Sequence, residues 1–438
     1  MKKRRISPSV CLVLMIIAAF VSFQITYSFL TNRYESTIYG FNKWSQVNSS
    51  LDDIEKIVGE NSDGKWQRIY TTLAEVDRYT RAGYVGTLNE EDLLTHTLDG
   101  YVYGTGDKYA AYMPPSEYEA FTKSSVEGSI VGIGVRIAYD NTFGGIYITA
   151  VIPDSPAEAA GLAAGDVIVA VEGNNVSEFG YYQAYNLIKS GAEGENCNLT
   201  VATKSSDYTD RVDVTLSRAV VKTQTVTTRM LDADTAYVQI IEFDIPTTEE
   251  FTTAMDALIA DGAKRFVFDV RNNPGGNVTA VCGVLDYLLP EGPIIRTYTG
   301  SGEENTVNSD AKCLDAPMAV LINGNTASGG ELFTAALRDY NKATVIGTTS
   351  FGKGTMQTVV PLSNGGALKI STEMYNPPYG ENYEGVGITP DKTVELSEEA
   401  LANFYRLTDE EDVQLMAALD EVRNMPLQQT PAAEDENR

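Results

Sequence analysis

A serine, a lysine and a glutamine that could act together in catalysis are close in sequence, in the C-terminal half of this 438-residue chain. Ser328 follows the apolar segment MAVLIN and precedes a helix predicted over residues 331–339. The free N–H groups and the dipole at a helix N-terminus stabilise negative charge, which suits an attacking serine oxygen and the oxyanion that forms after attack. A serine at this place is also a common helix N-cap, so Ser328 alone is weak evidence for a nucleophile.

Lys353 is the candidate for the base that a serine nucleophile requires. It lies between Gly352 and Gly354 in a turn after the apolar segment TVIG, and desolvation can lower the pKa of a lysine enough for it to accept a proton. On the predicted strand TMQTVV, period-two alternation puts Lys353, Thr355 and Gln357 on one face. Gln357 could therefore orient Lys353, as the third member of a triad orients its base. A solvated turn lysine is the alternative for Lys353 considered alone.

The chain offers few other catalytic or metal-binding residues. Its one histidine, His96, lies on a predicted helix with apolar neighbours, where a structural role is favoured over a catalytic one. The four cysteines form no CxxC pair, so neither a zinc site nor a disulfide framework is predicted. The cysteines are Cys11, Cys197, Cys282 and Cys313. No metal or cofactor is implied.

Charge and hydropathy suggest where the protein works. The net charge of −27 disfavours nucleic acid and anionic lipid headgroups as partners. Residues 1–9 are basic, and residues 10–30 form an uncharged run long enough to cross a bilayer as a helix. The positive-inside rule then predicts a cell-membrane anchor with the catalytic part extracytoplasmic. A cleaved signal peptide is the alternative, and the protein would then be secreted.

The remaining sequence divides into four regions. Residues 48–125 are predicted to be helical, 127–218 rich in strands and glycine turns, 219–395 α/β, and 396–438 a helical segment with a polar tail. In the α/β region, the apolar segments FVFDV, MAVLIN and TVIG each run into a turn of glycine and small polar residues. Sites on parallel sheets lie at the C-terminal ends of the strands, so these turns are expected to converge on one cleft.

The strand-rich region resembles a PDZ domain. The segment GGIYITAVIPDSPAEAAGLAAGDVIVAVEGNNV contains the turn, the Gly-Leu step and the Gly-Asp-Val-Ile strand of that family in the same order and spacing. PDZ domains bind a peptide C-terminus as an added strand, and backbone N–H groups hold its carboxylate. The resemblance implies that Gly132, Ile133, Gly134 and Val135 form this peptide-binding loop and strand.

The α/β region is similar to the carboxyl-terminal processing peptidases, the tail-specific proteases of family S41. Three blocks carry the resemblance, and it extends from about residue 66 to 396. The blocks are residues 320–362, from VLINGNTASGG to TMQTVVPL, RNNPGG at 271–276 and YEGVGITPDKTV at 383–394. It implies a multidomain α+β protein, in which a crotonase/ClpP-like α/β serine peptidase core carries an inserted β-sandwich-like PDZ domain and N-terminal helices.

The same resemblance assigns roles to individual residues. Ser328 matches the nucleophile, Lys353 the general base and Gln357 its partner. Backbone N–H groups of Gly329 and of the turn at Gly275 and Gly276 are expected to form the oxyanion hole.

These assignments predict a serine endopeptidase that cleaves exported proteins and captures them by their C-termini. The family resemblance also allows a homodimer. An HtrA-like triad protease with a PDZ domain is disfavoured by the histidine count and the domain order. A non-catalytic PDZ scaffold is disfavoured because Ser328, Lys353 and Gln357 are all present.

Overall fold

A computed structural model describes residues 65–127, 129–140 and 142–427 of the chain. The predicted basic segment 1–9, the predicted membrane or signal segment 10–30 and the end of the polar tail lie outside the described residues. No helix in the described ranges combines the length and the apolarity that crossing a membrane requires.

The chain divides into two compact units, and the first contains the N-terminal helices. This unit comprises the described residues up to Tyr112 together with Thr358–Ser363 and Ala367–Ile370. Its helices are α1 (Lys65–Gly83) and α2 (Glu90–Tyr103). Asn89 caps α2, since its side chain accepts the N–H groups of Glu91 and Asp92 in the first turn. His96 lies on α2 and is exposed.

The second unit begins with the strand-rich region. Strand β1 (Ala111–Met113) spans the division between the two units after Tyr112. The elements that lead into and out of the strand-rich region are α3 (Pro115–Glu127), β2 (Ser129–Gly132) and β9 (Ala219–Lys222). Its strands are β3 (Val135–Asp140), β4 (Gly145–Val151), β5 (Val167–Val171), β6 (Asn174–Asn175), β7 (Asn196–Ala202) and β8 (Arg211–Ser217). Its helices are α4 (Pro156–Ala159), α5 (Val176–Phe179) and α6 (Tyr181–Lys189), with a 3-10 turn at Lys204–Ser206.

The sheet of this region has the order β3-β4-β5-β7-β8, with β6 paired to β5. Strand β3 therefore lies at a sheet edge, where an extended peptide can be added. Gly180 separates α5 from α6 and adopts φ +99°, a conformation that glycine takes without strain.

The α/β region forms a six-stranded sheet of order β10-β11-β12-β15-β16-β19, parallel except for the β10–β11 pair. These strands are β10 (Val226–Met230), β11 (Thr235–Ile240), β12 (Arg265–Asp269), β15 (Met318–Ile322), β16 (Ala343–Gly347) and β19 (Lys392–Thr393). The three predicted strands are the neighbours β12, β15 and β16, so their C-terminal turns meet at one edge of the sheet.

Helices cover both faces of this sheet, which explains why β15 is buried along its whole length. Buried side chains of α7, α8 and α9 pack on one face, and Leu415, Ala418 and Val422 of α11 pack on the other. The helices are α7 (Thr247–Ala260), α8 (Val278–Leu288), α9 (Gly329–Asp339), α10 (Glu398–Ala402) and α11 (Val413–Asn424). The other elements are β13 (Gly292–Thr299), β14 (Glu304–Ser309), β17 (Thr355–Pro361), β18 (Ala367–Asn376) and a 3-10 turn at Phe404–Arg406.

Candidate active site

Ser328 occupies a sharp turn between β15 and α9. Its backbone adopts φ +52° and ψ −112°, a conformation that residues other than glycine rarely take. Such strain costs about 1–3 kcal/mol and persists only where the surroundings impose it. Here the N–H of Ser328 donates to the Glu331 carboxylate at 2.8 Å, and its carbonyl accepts the N–H of Leu332 at 2.9 Å. In α/β-hydrolases, a strained strand-to-helix turn presents the nucleophilic serine at the top of the sheet.

This strain gives a first prediction. A Ser328→Gly protein should be about 1 kcal/mol more stable than a Ser328→Ala protein, because glycine takes positive φ without penalty. Urea denaturation of both variants measures the difference. The same pair of substitutions at Ser217, which lies in strand β8, should give the opposite order. Equal stabilities at position 328 would contradict the strain.

A glycine turn lies directly against Ser328. A Cβ atom added to Gly275 would lie 2.7 Å from the Cβ of Ser328 and 2.6 Å from the nitrogen of Gly329. The N–H of Gly275 donates to the side chain of Asn273 at 2.7 Å, so it is already used. Within the described ranges, the N–H groups of Gly276 and Gly329 donate to no acceptor. The N–H groups of Gly276 and Gly329 are therefore available beside Ser328. Gly275 lets the glycine turn approach Ser328 closely, but its own N–H is already bonded.

Glu331 joins the turn of Ser328 to the turn of Lys353. Its side chain is fully buried, and its Oε2 atom accepts the backbone N–H groups of both Ser328 and Lys353 at 2.8 Å. Its Oε1 atom accepts the N–H of Gly352 at 2.6 Å and the hydroxyl of Ser350 at 2.5 Å. One carboxylate oxygen thus fixes the backbones of both candidate dyad residues. Glu331 was not among the predicted site residues, although the S-x-x-E spacing of a capping box from Ser328 to Glu331 was a usable signal.

Two buried tyrosines complete this arrangement. Tyr375 donates its hydroxyl to the carbonyl of Lys353 at 2.8 Å, and Tyr383 donates to the hydroxyl of Tyr375 at 2.9 Å. Burial raises the pKa of both phenols, so they remain protonated donors at neutral pH. Tyr383 is the first residue of the block YEGVGITPDKTV, whereas Tyr375 lies in none of the three blocks that resemble the family.

Gln357 lies on β17, two residues beyond Thr355. Its amide nitrogen donates to the hydroxyl of Thr355 at 3.2 Å and to that of Ser371 at 3.1 Å. Thr355 and Gln357 therefore share a face, as alternation predicts. The orienting role of Gln357 toward Lys353 stays a prediction, and Ser371 is a neighbour that the sequence did not indicate.

A buried arginine anchors the start of the glycine turn. Arg271 is 5% exposed and pairs with Asp269 at 2.6 Å and with Asp412 at 2.8 Å. The ring of Phe404 lies 4.8 Å from its guanidinium carbon. The turn beside Ser328 is therefore tied to the C-terminal segment around residues 404–412. No group of three or more histidine, cysteine, aspartate or glutamate residues in the described ranges could hold a metal ion.

The predicted peptide-binding loop precedes the edge strand β3. Gly132 ends β2 and Val135 begins β3, with Ile133 and Gly134 between them. Gly134 adopts φ +82°, and a Cβ atom added to it would lie 2.1 Å from that of Ser155, so only glycine fits. The N–H groups of Ile133 and Gly134 have no acceptor in the described part of the chain. Two unused donors beside an edge strand are what a terminal carboxylate requires.

Comparison with known proteins shows related sequences over most of the chain. Residues 234–394 match the model of Peptidase family S41, and residues 147–203 match a PDZ domain model. The carboxy-terminal-processing protease of Bartonella bacilliformis is 30% identical over 357 residues, which cover 80% of this chain and 80% of that protein. The carboxy-terminal processing protease CtpA of Bacillus subtilis is 28% identical and covers 78% and 73%. The structure of an S41 protease from Bacteroides fragilis aligns with a TM-score of 0.52 at 16% identity, over 77% of this chain and 92% of that one.

Proposed function

Because this chain belongs to peptidase family S41, we propose that it is a serine endopeptidase in which Ser328 is the nucleophile and Lys353 the general base. The observation that carries this assignment is the shared oxygen of Glu331, which accepts the backbone N–H groups of both residues. The strained backbone of Ser328 and the N–H groups of Gly276 and Gly329 support it. The named relatives are carboxy-terminal processing proteases, and we extend that activity to this chain.

In the proposed reaction, neutral Lys353 takes the hydroxyl proton of Ser328 as the serine oxygen attacks a peptide carbonyl. The carbonyl oxygen becomes an oxyanion, which accepts hydrogen bonds from the N–H groups of Gly276 and Gly329. Lys353 then gives its proton to the leaving amine as the C–N bond breaks. Water attacks the acyl-enzyme with Lys353 again acting as the base, which releases the new carboxylate and restores Ser328. Gln357 orients Lys353.

The PDZ domain would deliver the substrate. In this proposal, the N–H groups of Ile133 and Gly134 hold the terminal carboxylate, and the chain end is added to the edge of β3. The basic residues 1–9 and the apolar run 10–30 support an extracytoplasmic position, with the protein held at the cell membrane or secreted. The exposed apolar side chains Ile69, Leu73 and Val76 on α1 support a homodimer.

A tail-cleavage assay tests this function. The wild-type protein should shorten a reporter domain that carries a flexible apolar tail, and intact mass spectrometry should show discrete cleavage sites. A peptide with the sequence of the tail should be cleaved at least about tenfold faster as a free acid than as a C-terminal amide, because the amide cannot fill a carboxylate site. Equal rates would contradict capture of the C-terminus, and failure to cleave any tail would favour a binding role.

A further inference from the structure

We propose that residues 382–387 form a positioning loop for the general base, in which Asn382 and Glu384 are the positioning residues. They act through the backbone of Lys353, whereas Gln357 is proposed to act on its side chain. This inference rests on the proposed role of Lys353 and adds the groups that fix where its side chain begins.

The peptide group that follows Lys353 is held at both of its polar atoms. Its carbonyl, from Lys353, accepts the hydroxyl of Tyr375 at 2.8 Å, and its N–H, from Gly354, donates to Oε2 of Glu384 at 2.8 Å. A peptide group is planar, so two bonds on its opposite edges fix its orientation. Glu384 and Tyr375 together therefore set the direction in which the chain leaves Lys353.

The peptide group that precedes Lys353 is held in the same way. Its carbonyl, from Gly352, accepts the N–H of Gly385 at 2.9 Å, and its N–H, from Lys353, donates to Glu331 at 2.8 Å. Both planes beside the Cα of Lys353 are thus fixed, and with them its two backbone dihedrals. The positioning loop supplies one of the two hydrogen bonds on each side of Lys353.

Asn382 joins this loop to the turn of Lys353 and to β18. Its Nδ2 atom donates to the carbonyl of Gly354 at 2.8 Å and to that of Tyr375 at 2.5 Å, and its Oδ1 atom accepts the N–H of Glu384 at 2.8 Å. One amide thus holds the residue after the base and the two residues that bind the peptide group between them. An aspartate of the same shape could not donate, and its charge would face two carbonyl oxygens.

The loop and the turn pack without space between them. A Cβ atom added to Gly354 would lie 2.5 Å from Oδ1 of Asn382, and one added to Gly352, which adopts φ +88°, would lie 2.8 Å from the nitrogen of Gly387. Fixing the backbone matters because the four-carbon stem of a lysine is flexible, and a shift of about 1 Å at a reacting group can cost about 10²-fold in rate. Loss of the hydrogen bonds of the loop should therefore appear in kcat.

Variants of Glu384 test the loop directly, because this side chain is only partly buried and its replacement should not prevent folding. With a tail peptide as substrate, Glu384→Ala should lower kcat by about 30-fold, with KM changed by less than about threefold. Glu384→Gln keeps an oxygen that can accept the N–H of Gly354, so its kcat should lie within about fivefold of the wild-type value. Asn382→Asp, which loses both donated hydrogen bonds, should lower kcat by about 10²-fold or more.

Two matched controls lie at the turn between β5 and β6. Oε1 of Glu172 accepts the backbone N–H of Asn198 at 2.8 Å, and the amide of Asn174 donates to the carbonyls of Val171 and Glu172 at 3.3 and 3.2 Å. Glu172→Ala and Asn174→Asp make the same chemical changes outside the positioning loop and the turn of Lys353, so both should retain the wild-type kcat. Thermal melts would show that each variant is folded.

These results separate the inference from the function on which it rests. If Ser328→Ala and Lys353→Ala are inactive while Glu384→Ala and Asn382→Asp retain kcat, the positioning loop is wrong and the proposed dyad stands. If Lys353→Ala still cleaves at a substantial rate, the dyad is wrong and the inference falls with it. A loss of kcat in Glu384→Ala that Glu384→Gln does not restore would also overturn the positioning role, because the hydrogen bond to Gly354 would then not be its cause.

Discussion

Replacing Ser328 with alanine should lower kcat for tail cleavage by at least about 10⁴-fold, and replacing Lys353 with alanine should cause a loss of similar size. The first change removes the attacking oxygen, and the second removes the group that accepts its proton. The double variant should be no slower than either single variant, because the two residues act as one unit. Single-turnover cleavage of the tailed reporter, followed by mass spectrometry, measures all three.

The substitution of Lys353 by arginine sharpens this test. Arginine keeps the positive charge but cannot lose its proton, so Lys353→Arg should remain inactive if the lysine acts as a base. Lys312→Ala, which changes an exposed lysine in the loop between β14 and β15, should cleave at the wild-type rate. Substantial cleavage by Lys353→Arg would show that only charge is needed at this position, and cleavage by Ser328→Ala would remove the nucleophile assignment.

Much of this site could be predicted because its signals are local. Each predicted strand and its turn is a continuous stretch of sequence, and neighbouring parallel strands necessarily bring their C-terminal ends together. Ser328 and Lys353 could therefore be placed at one sheet edge without knowledge of any distance. The N-cap Asn89 was predictable for the same reason, because its partners lie two and three residues away.

The parts that could not be predicted depend on contacts between distant residues. Tyr375 donates to the carbonyl of Lys353 from β18, and Arg406 of the C-terminal segment donates to Asp140 of the edge strand β3. Neither contact leaves a pattern in the sequence. The side chain of Asn273, which accepts the N–H of Gly275, is itself held by the carbonyl of Ile240 from β11.

The second large effect is expected at Glu331. Replacing it with alanine should lower the free energy of unfolding by roughly 3–5 kcal/mol, because three backbone N–H groups and the Ser350 hydroxyl lose their common acceptor inside the protein. Glu331→Gln keeps the shape but turns one accepting oxygen into a donor, so a loss of about 2 kcal/mol is expected. Urea denaturation measures both changes.

Activity distinguishes a positioning role from a purely structural one. If Glu331 aligns the turns of Ser328 and Lys353, Glu331→Gln should lower kcat by about 10²-fold or more under conditions where the variant is folded, with KM little changed. The matched control is Glu250, whose Oε2 atom accepts the N–H and hydroxyl of Thr225 and the N–H of Val226 at 2.7–3.1 Å. Glu250→Gln should lose stability by a similar mechanism and retain kcat. If both variants retained kcat, Glu331 would stabilise the fold without setting the geometry of the dyad, and the alignment of Ser328 with Lys353 would have to come from Tyr375 and the glycine turn instead.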